Sequence, residues 1–87
     1  SENMEKKIYK EPNKSEVETT INVLYSEEIL SIYTNKPDLQ RNLNKILGEP
    51  TKEYKIKSSI SGSCWEIPLK DKSRISRMVL KANIYEL

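Results

Sequence analysis

The sequence predicts a small α+β domain with the element order ββαββα. A four-stranded antiparallel sheet would carry two helices on one face, which gives two layers. Residues 19–34 and 54–69 are each rich in strand-forming residues and are typical of hairpins. Each stretch is followed by a segment whose apolar residues recur at helical spacing. Because 87 residues leave room for a single core, the two hairpins are expected to merge into one sheet.

Residues 1–18 are predicted to form a flexible arm ahead of a single domain over residues 19–87. The arm is charged and polar, and only Met4, Ile8, Tyr9 and Val17 could be buried. So little apolar surface scarcely offsets the entropy that the segment would lose on ordering. The alternative is an arm that docks on a partner through Ile8 and Tyr9.

The first hairpin is predicted to turn at Glu27-Glu28. That turn would pair Val23 with Ile32 and Ile21 with Thr34, and it would place all four side chains on one face. Glu-Glu is poor chemistry for a tight turn, so a loop wider than two residues is the alternative.

The first helix has the clearest local signals in the chain. Asn35 is a candidate N-cap, and Pro37 suits the first turn, where its missing N–H costs little. Gly48 stands where a helix C-cap is wanted, and Pro50 follows it. One apolar face is predicted from Leu39, Leu43, Ile46 and Leu47.

The second hairpin is predicted to turn at Ser61-Gly62, where glycine would supply a positive φ. In that register Ile56 faces Ile67 on an apolar face. Lys57 faces Glu66 on the other face.

A second helix is expected after the second hairpin, with Asp71 or Ser73 as its cap. Its buried face would be formed by Ile75, Met78, Val79 and Ala82. Beside that face runs a basic stripe of Lys70, Arg74, Arg77 and Lys81.

Composition argues against catalysis. The chain has no His and one Cys, so the usual general base, the common triads and a zinc site lack their residues. Both glycines are assigned to a cap and a turn, and no glycine-rich phosphate loop is present. We therefore expect no enzyme, no cofactor and no metal, with Cys64 as a structural thiol.

Charge distribution indicates a binding site instead. The net charge is only +2, but residues 70–87 carry five cations against Asp71 and Glu86. Arg74, Arg77 and Lys81 could hold phosphates, with Tyr33 or Trp65 stacking on a base. The alternatives are a solvated helix face for the cations and core packing for Trp65.

Three stretches carry a resemblance: ILSIYTNKPDLQRNLNKILGEPT, SGSCWEIP and KSRISRMVLKANIYEL. Over about residues 20–87 the chain resembles small uncharacterised proteins of clostridial-type bacteria and their prophages. The resemblance implies a phage or mobile-element accessory protein that binds and sequesters. It transfers no activity and no site residue.

These observations predict a non-enzymatic, homo-oligomeric protein that binds a phosphate-bearing ligand. A signalling nucleotide is favoured over a long nucleic acid, because a net charge of +2 is low for a duplex-DNA binder. Two alternatives stay open: a module that inhibits a protein partner through residues 1–18 or 84–87, and a small DNA- or RNA-binding protein. A cytoplasmic location is expected, because no apolar run is long enough for a membrane span and the single Cys suits a reducing compartment.

Overall fold

Four antiparallel strands form one sheet in the computed structural model, which describes residues 7–85. The strands are β1 (Thr19–Leu24), β2 (Ile29–Thr34), β3 (Lys52–Ile56) and β4 (Ser59–Pro68). Their spatial order is β1-β2-β4-β3, so the second strand of each hairpin lies at the centre. Helices α1 (Pro37–Leu47) and α2 (Ser76–Leu80) complete the predicted ββαββα order.

Both helices pack on the same face of the sheet, which confirms the predicted two-layer α+β fold. The core lies between the layers, where apolar side chains of the two central strands meet those of the helices. Its buried members are Leu30, Ile32, Leu39, Leu43, Trp65, Ile67, Ile75 and Val79. The helices therefore cover the centre of the sheet, and most of β1 is left exposed.

The first hairpin closes through a wider loop than the two-residue turn predicted at Glu27-Glu28. Residues 25–28 form the loop, Val23 pairs with Leu30, and Ile21 pairs with Ile32. The predicted pairing is therefore wrong by two residues. A shift of two leaves every side chain on its predicted face, because side chains alternate with a period of two.

The second hairpin turns at Lys57-Ser58, so the predicted turn at Ser61-Gly62 is wrong. Ile56 pairs with Ser59 across the turn, and Lys57 adopts a φ of 56°. Gly62 instead lies inside β4 opposite Tyr54, beside a register shift. Glu66 pairs with Ser31 of β2, so it does not face Lys57.

Gly62 is explained by a tyrosine that crosses it on the face of the sheet opposite the helices. A Cβ atom at Gly62 would lie 2.6 Å from the Tyr33 hydroxyl oxygen and 2.8 Å from its Cε1. The Tyr33 ring meets that of Tyr54 edge to face, with centroids 5.6 Å apart. Glycine is therefore required here by a contact between strands and not by a turn.

Gly62→Ala is expected to destabilise the protein by about 1–3 kcal/mol, because the Tyr33 ring must move away from β4. In a Tyr33→Ala background the overlapping atoms are gone, so the same change should cost much less. Urea denaturation of the wild type, the two single variants and the double variant gives the coupling energy between Gly62 and Tyr33. Gly48→Ala is the control. Its φ of 84° is strained for alanine, but no atom lies within 4 Å of its Cβ, so its cost should be the same with and without the Tyr33 ring. Equal costs for Gly62→Ala in both backgrounds would contradict the contact.

The ends of α1 follow the prediction in part. Pro37 occupies the first turn, and Gly48 caps the C-terminus with a φ of 84°, as predicted. The N-cap residue is Lys36, however, and it makes no side-chain cap bond. Asn35 accepts from the Glu18 amide at 2.8 Å and donates to the Glu16 carbonyl at 2.8 Å, so its side chain is used before the helix begins.

The N-terminal segment contacts the domain along its described part, residues 7–18. Ile8 forms a parallel bridge with Ile60. The Tyr9 amide donates to the Ile60 carbonyl, and the Ile60 amide donates to the Lys7 carbonyl. These bonds use backbone groups and need little apolar surface, which the prediction of an arm did not consider. Residues 1–6 of that predicted arm lie outside the described residues.

The predicted second helix is a composite of three helical types. A 3-10 segment (Leu69–Arg74) leads into α2, and a π-helical turn (Lys81–Tyr85) follows it. Neither Asp71 nor Ser73 caps α2, which begins after Ile75 without a side-chain cap. We refer to residues 69–85 as the C-terminal helical segment. Within residues 7–85 we find no helix with the length and apolar character required to cross a membrane.

A buried threonine at the end of β2 connects the sheet to α1 and to the C-terminal helical segment. Thr34 is fully buried, and its hydroxyl lies 2.9 Å from that of Thr19 and accepts from the Lys36 amide at 3.0 Å. Thr19 in turn donates to the Asn83 side chain at 2.6 Å. Since Thr19 gives its one hydroxyl proton to Asn83, the Thr34 hydroxyl proton has two acceptors within reach, the Thr19 oxygen and the Glu18 carbonyl at 3.3 Å.

Candidate anion-binding groove

A groove runs between α1 and the C-terminal helical segment, which lie antiparallel. At one end the Lys36 ammonium donates to the Ala82 carbonyl. At the other end the Arg74 guanidinium donates to the Ile46 carbonyl at 2.9 Å. The groove encloses about 650 Å³. We call it the basic groove, after the cations that line it: Lys36, Arg41, Lys45, Arg74, Arg77 and Lys81.

The basic groove concentrates positive charge. Asp38 is the one acidic residue among its described lining residues, so six cations and one carboxylate give a net charge of +5. The whole chain carries only +2, and the rest of the molecule is therefore net negative, at −3. The Arg41–Asp38 contact of 3.2 Å joins two exposed side chains. An exposed ion pair is weak, so an incoming anion can compete with Asp38 for Arg41.

The cations differ in how far they are already engaged. Arg74 and Lys36 each donate to a backbone carbonyl across the groove, so they also hold the two helical elements together. The side chains of Lys45, Arg77 and Lys81 are exposed and form no hydrogen bond or ion pair within the described part of the chain. These three side chains are therefore available to an incoming anion.

Apolar side chains interrupt the cations. Met78 and Ala82 line the groove and are half-buried against the core. A flat or apolar part of a ligand could pack on them while its charged part meets the surrounding cations. The groove therefore offers both kinds of contact.

The structure brings together three of the five residues predicted for the site. Arg74, Arg77 and Lys81 all line the basic groove. Trp65 does not: it is 2% exposed in the core, and its indole N–H donates to the Gly48 carbonyl at 3.0 Å. A ring this deeply buried offers no face for stacking, so Trp65 has the alternative role of core packing.

Tyr33 lies on the opposite face of the sheet from the groove, beside Gly62 and Tyr54. The sheet therefore separates it from Arg77 and Lys81, and it cannot complete one site with them. Burial raises the pKa of the Tyr33 phenol above its ordinary value, and Glu18 and Tyr54 add to the effect. The phenol thus remains neutral at physiological pH.

Three groove residues were not predicted from the sequence: Lys36, Arg41 and Lys45. Helical spacing alone places Arg41 and Lys45 opposite the apolar face of the first helix. Two helices on one sheet face lie side by side, however, so their flanks approach each other. This consequence of the predicted fold was the signal that could have identified the second wall of the groove.

Within residues 7–85, no three His, Cys, Asp or Glu side chains converge where they could hold a metal ion. The described thiol, Cys64, is half-buried, and its sulfur lies 3.5 Å from the Ser31 hydroxyl. Neither a family model, nor a curated protein, nor a solved structure matches this chain.

Proposed function

We propose that the protein is a non-enzymatic binding protein whose basic groove holds a small phosphate-bearing ligand, such as a signalling nucleotide. One observation carries the proposal. The chain contains three arginines, Arg41, Arg74 and Arg77, and all three line the same groove. Lysines are numerous throughout the sequence, whereas arginine is rare and is confined to this place.

Arginine is suited to phosphate because its planar guanidinium donates two parallel hydrogen bonds to phosphate oxygens. Lys45 and Lys81 would add point charges beside the arginines. Met78 and Ala82 would contact the base of a nucleotide, in place of the aromatic ring expected from the sequence.

Size and charge both favour a small ligand over a long nucleic acid. The groove volume of about 650 Å³ falls within the range of about 300–1,000 Å³ that is usual for small-molecule sites. Outside the groove the molecule is net negative, which disfavours an extended polyanion that contacts more of the surface.

Isothermal titration with tripolyphosphate, ADP and AMP tests the proposal. We expect binding that weakens as salt is raised and as phosphates are removed. The double variant Arg77→Ala/Lys81→Ala should bind at least about tenfold more weakly, because charged hydrogen bonds contribute about 1.5–3 kcal/mol each. Arg74 is left unchanged, since its bond to the Ile46 carbonyl also supports the fold.

The matched control is Lys55→Ala/Lys57→Ala, which removes the same charge from exposed side chains of the second hairpin. This control should bind like the wild type. Equal weakening by both double variants would show attraction by net charge alone and would contradict a site in the groove. Conversion of ADP on incubation would contradict the non-enzymatic part of the proposal.

A further inference from the structure

The two edges of the sheet differ in how well they are protected against pairing with another strand. The β3 edge carries Lys52, Glu53 and Lys55 and contains a register shift, which are features that discourage pairing. The β1 edge has the sequence TTINVL, with no charged residue, no proline and a regular register with β2. Among the described residues no strand lies beyond it.

The outer edge of β1 presents backbone groups from alternate residues. The Asn35 amide donates to the Glu18 carbonyl at 3.2 Å, so Glu18 and Asn35 are a hydrogen-bonded pair. Because such pairs alternate along antiparallel strands, Thr20, Asn22 and Leu24 bond to β2. The N–H and C=O groups of Ile21 and Val23 therefore point away from the sheet.

Apolar side chains flank this row of backbone groups on both faces of the strand. Ile21 and Val23 are 49% and 37% exposed on the face that bears the helices, and Leu24 is 38% exposed on the other. On the helix layer, Asn83 contacts Thr19, and the exposed Leu80 lies one turn before Asn83. The open edge is therefore apolar as well as unpaired.

We propose that β1 pairs antiparallel with β1 of a second copy of this chain, which joins two sheets into one of eight strands. A two-fold axis places the same surface on both sides of such an interface. In an antiparallel pair related by this axis, a single charged residue would either meet its own copy at the axis or be buried without a partner, and β1 has no charged residue. The exposed apolar side chains of both copies would be buried together.

Two edge isoleucines of nearly equal exposure provide a matched test. Ile21 on β1 is 49% exposed, and Ile56 on β3 is 45% exposed. Sedimentation equilibrium of the full chain should show a dimer. Ile21→Lys should raise its Kd at least about tenfold, because it places two lysines within the one interface and removes two buried isoleucines. Ile56→Lys should leave the Kd unchanged.

A second measurement does not depend on a folded variant. Amide hydrogen exchange of the wild type should slow at Ile21 and Val23 as protein concentration rises through the dimer Kd. The amides of β3 should not respond. The proposal is overturned by a wild type that stays monomeric up to about 0.1 mM. It is equally overturned by a dimer that resists Ile21→Lys, or by β1 amides that exchange independently of concentration.

Discussion

Replacing Trp65 with alanine is expected to remove most of the free energy of unfolding of this protein. Trp65 is 2% exposed and lies on β4 opposite Ile32 of β2, at the centre of the sheet. Truncating a buried tryptophan costs about 3–5 kcal/mol. Small domains are stable by only about 5–15 kcal/mol, and an 87-residue chain falls in the lower part of that range.

Trp65→Phe separates packing from hydrogen bonding. Phenylalanine retains most of the ring but loses the indole N–H that donates to the Gly48 carbonyl. We expect a smaller cost of about 1–3 kcal/mol, because that carbonyl is left with one partner fewer and the space is imperfectly filled. Urea denaturation followed by far-UV circular dichroism ranks the three proteins. A Trp65→Ala midpoint close to that of the wild type would be inconsistent with a central position in the core.

Thr34→Val is expected to have the next largest effect, although it hardly changes the volume of the side chain. Valine cannot accept a hydrogen bond from the Lys36 amide, and it cannot replace the Thr34 hydroxyl in its contacts with the Thr19 hydroxyl and the Glu18 carbonyl. Each buried group left unpaired costs about 1–3 kcal/mol. The loss would also loosen the start of α1, because Lys36 is its N-cap residue and has no side-chain cap.

The control is Thr20→Val, the same chemical change at an exposed position of β1 on the other face of the sheet. It should alter stability by less than about 0.5 kcal/mol. Thermal or urea unfolding of both variants provides the comparison. If they were equally stable, the Thr34 hydroxyl would not be a structural link between the sheet and α1.

The parts of the fold predicted from the sequence are those that local residues determine. Pro37 and Gly48 bracket α1 because each suits a helix end for its own backbone geometry. The second hairpin shows the limit. Gly62 resembled a turn residue, but it is required by the Tyr33 ring on a distant strand, while Lys57 takes the positive φ at the real turn.

The candidate site was likewise predicted from the sequence only in part. Arg74, Arg77 and Lys81 line the groove from the C-terminal helical segment, and helical spacing alone predicted them as a group. Lys36, Arg41 and Lys45 join them only through the packing of two helices on the sheet. Tyr33 is far from this site because the helices cover the other face of the sheet. The β2 sequence is partly apolar on both faces, so it does not determine which face the helices cover.

The central position of β2 and β4 has a consequence for how the protein folds. Each hairpin closes a loop of a few residues, and hairpins of this kind form within about 1–10 μs. Pairing β2 with β4 brings Thr34 to Ser63 and must close the whole of residues 35–62. The entropy of closing a loop of that length is lost before most contacts between β2 and β4 form. We therefore expect the pairing of β2 with β4 to set the refolding rate. Since the hairpin turns are already formed when this step occurs, destabilising changes at Lys57 should mainly slow refolding and leave the rate of unfolding little changed.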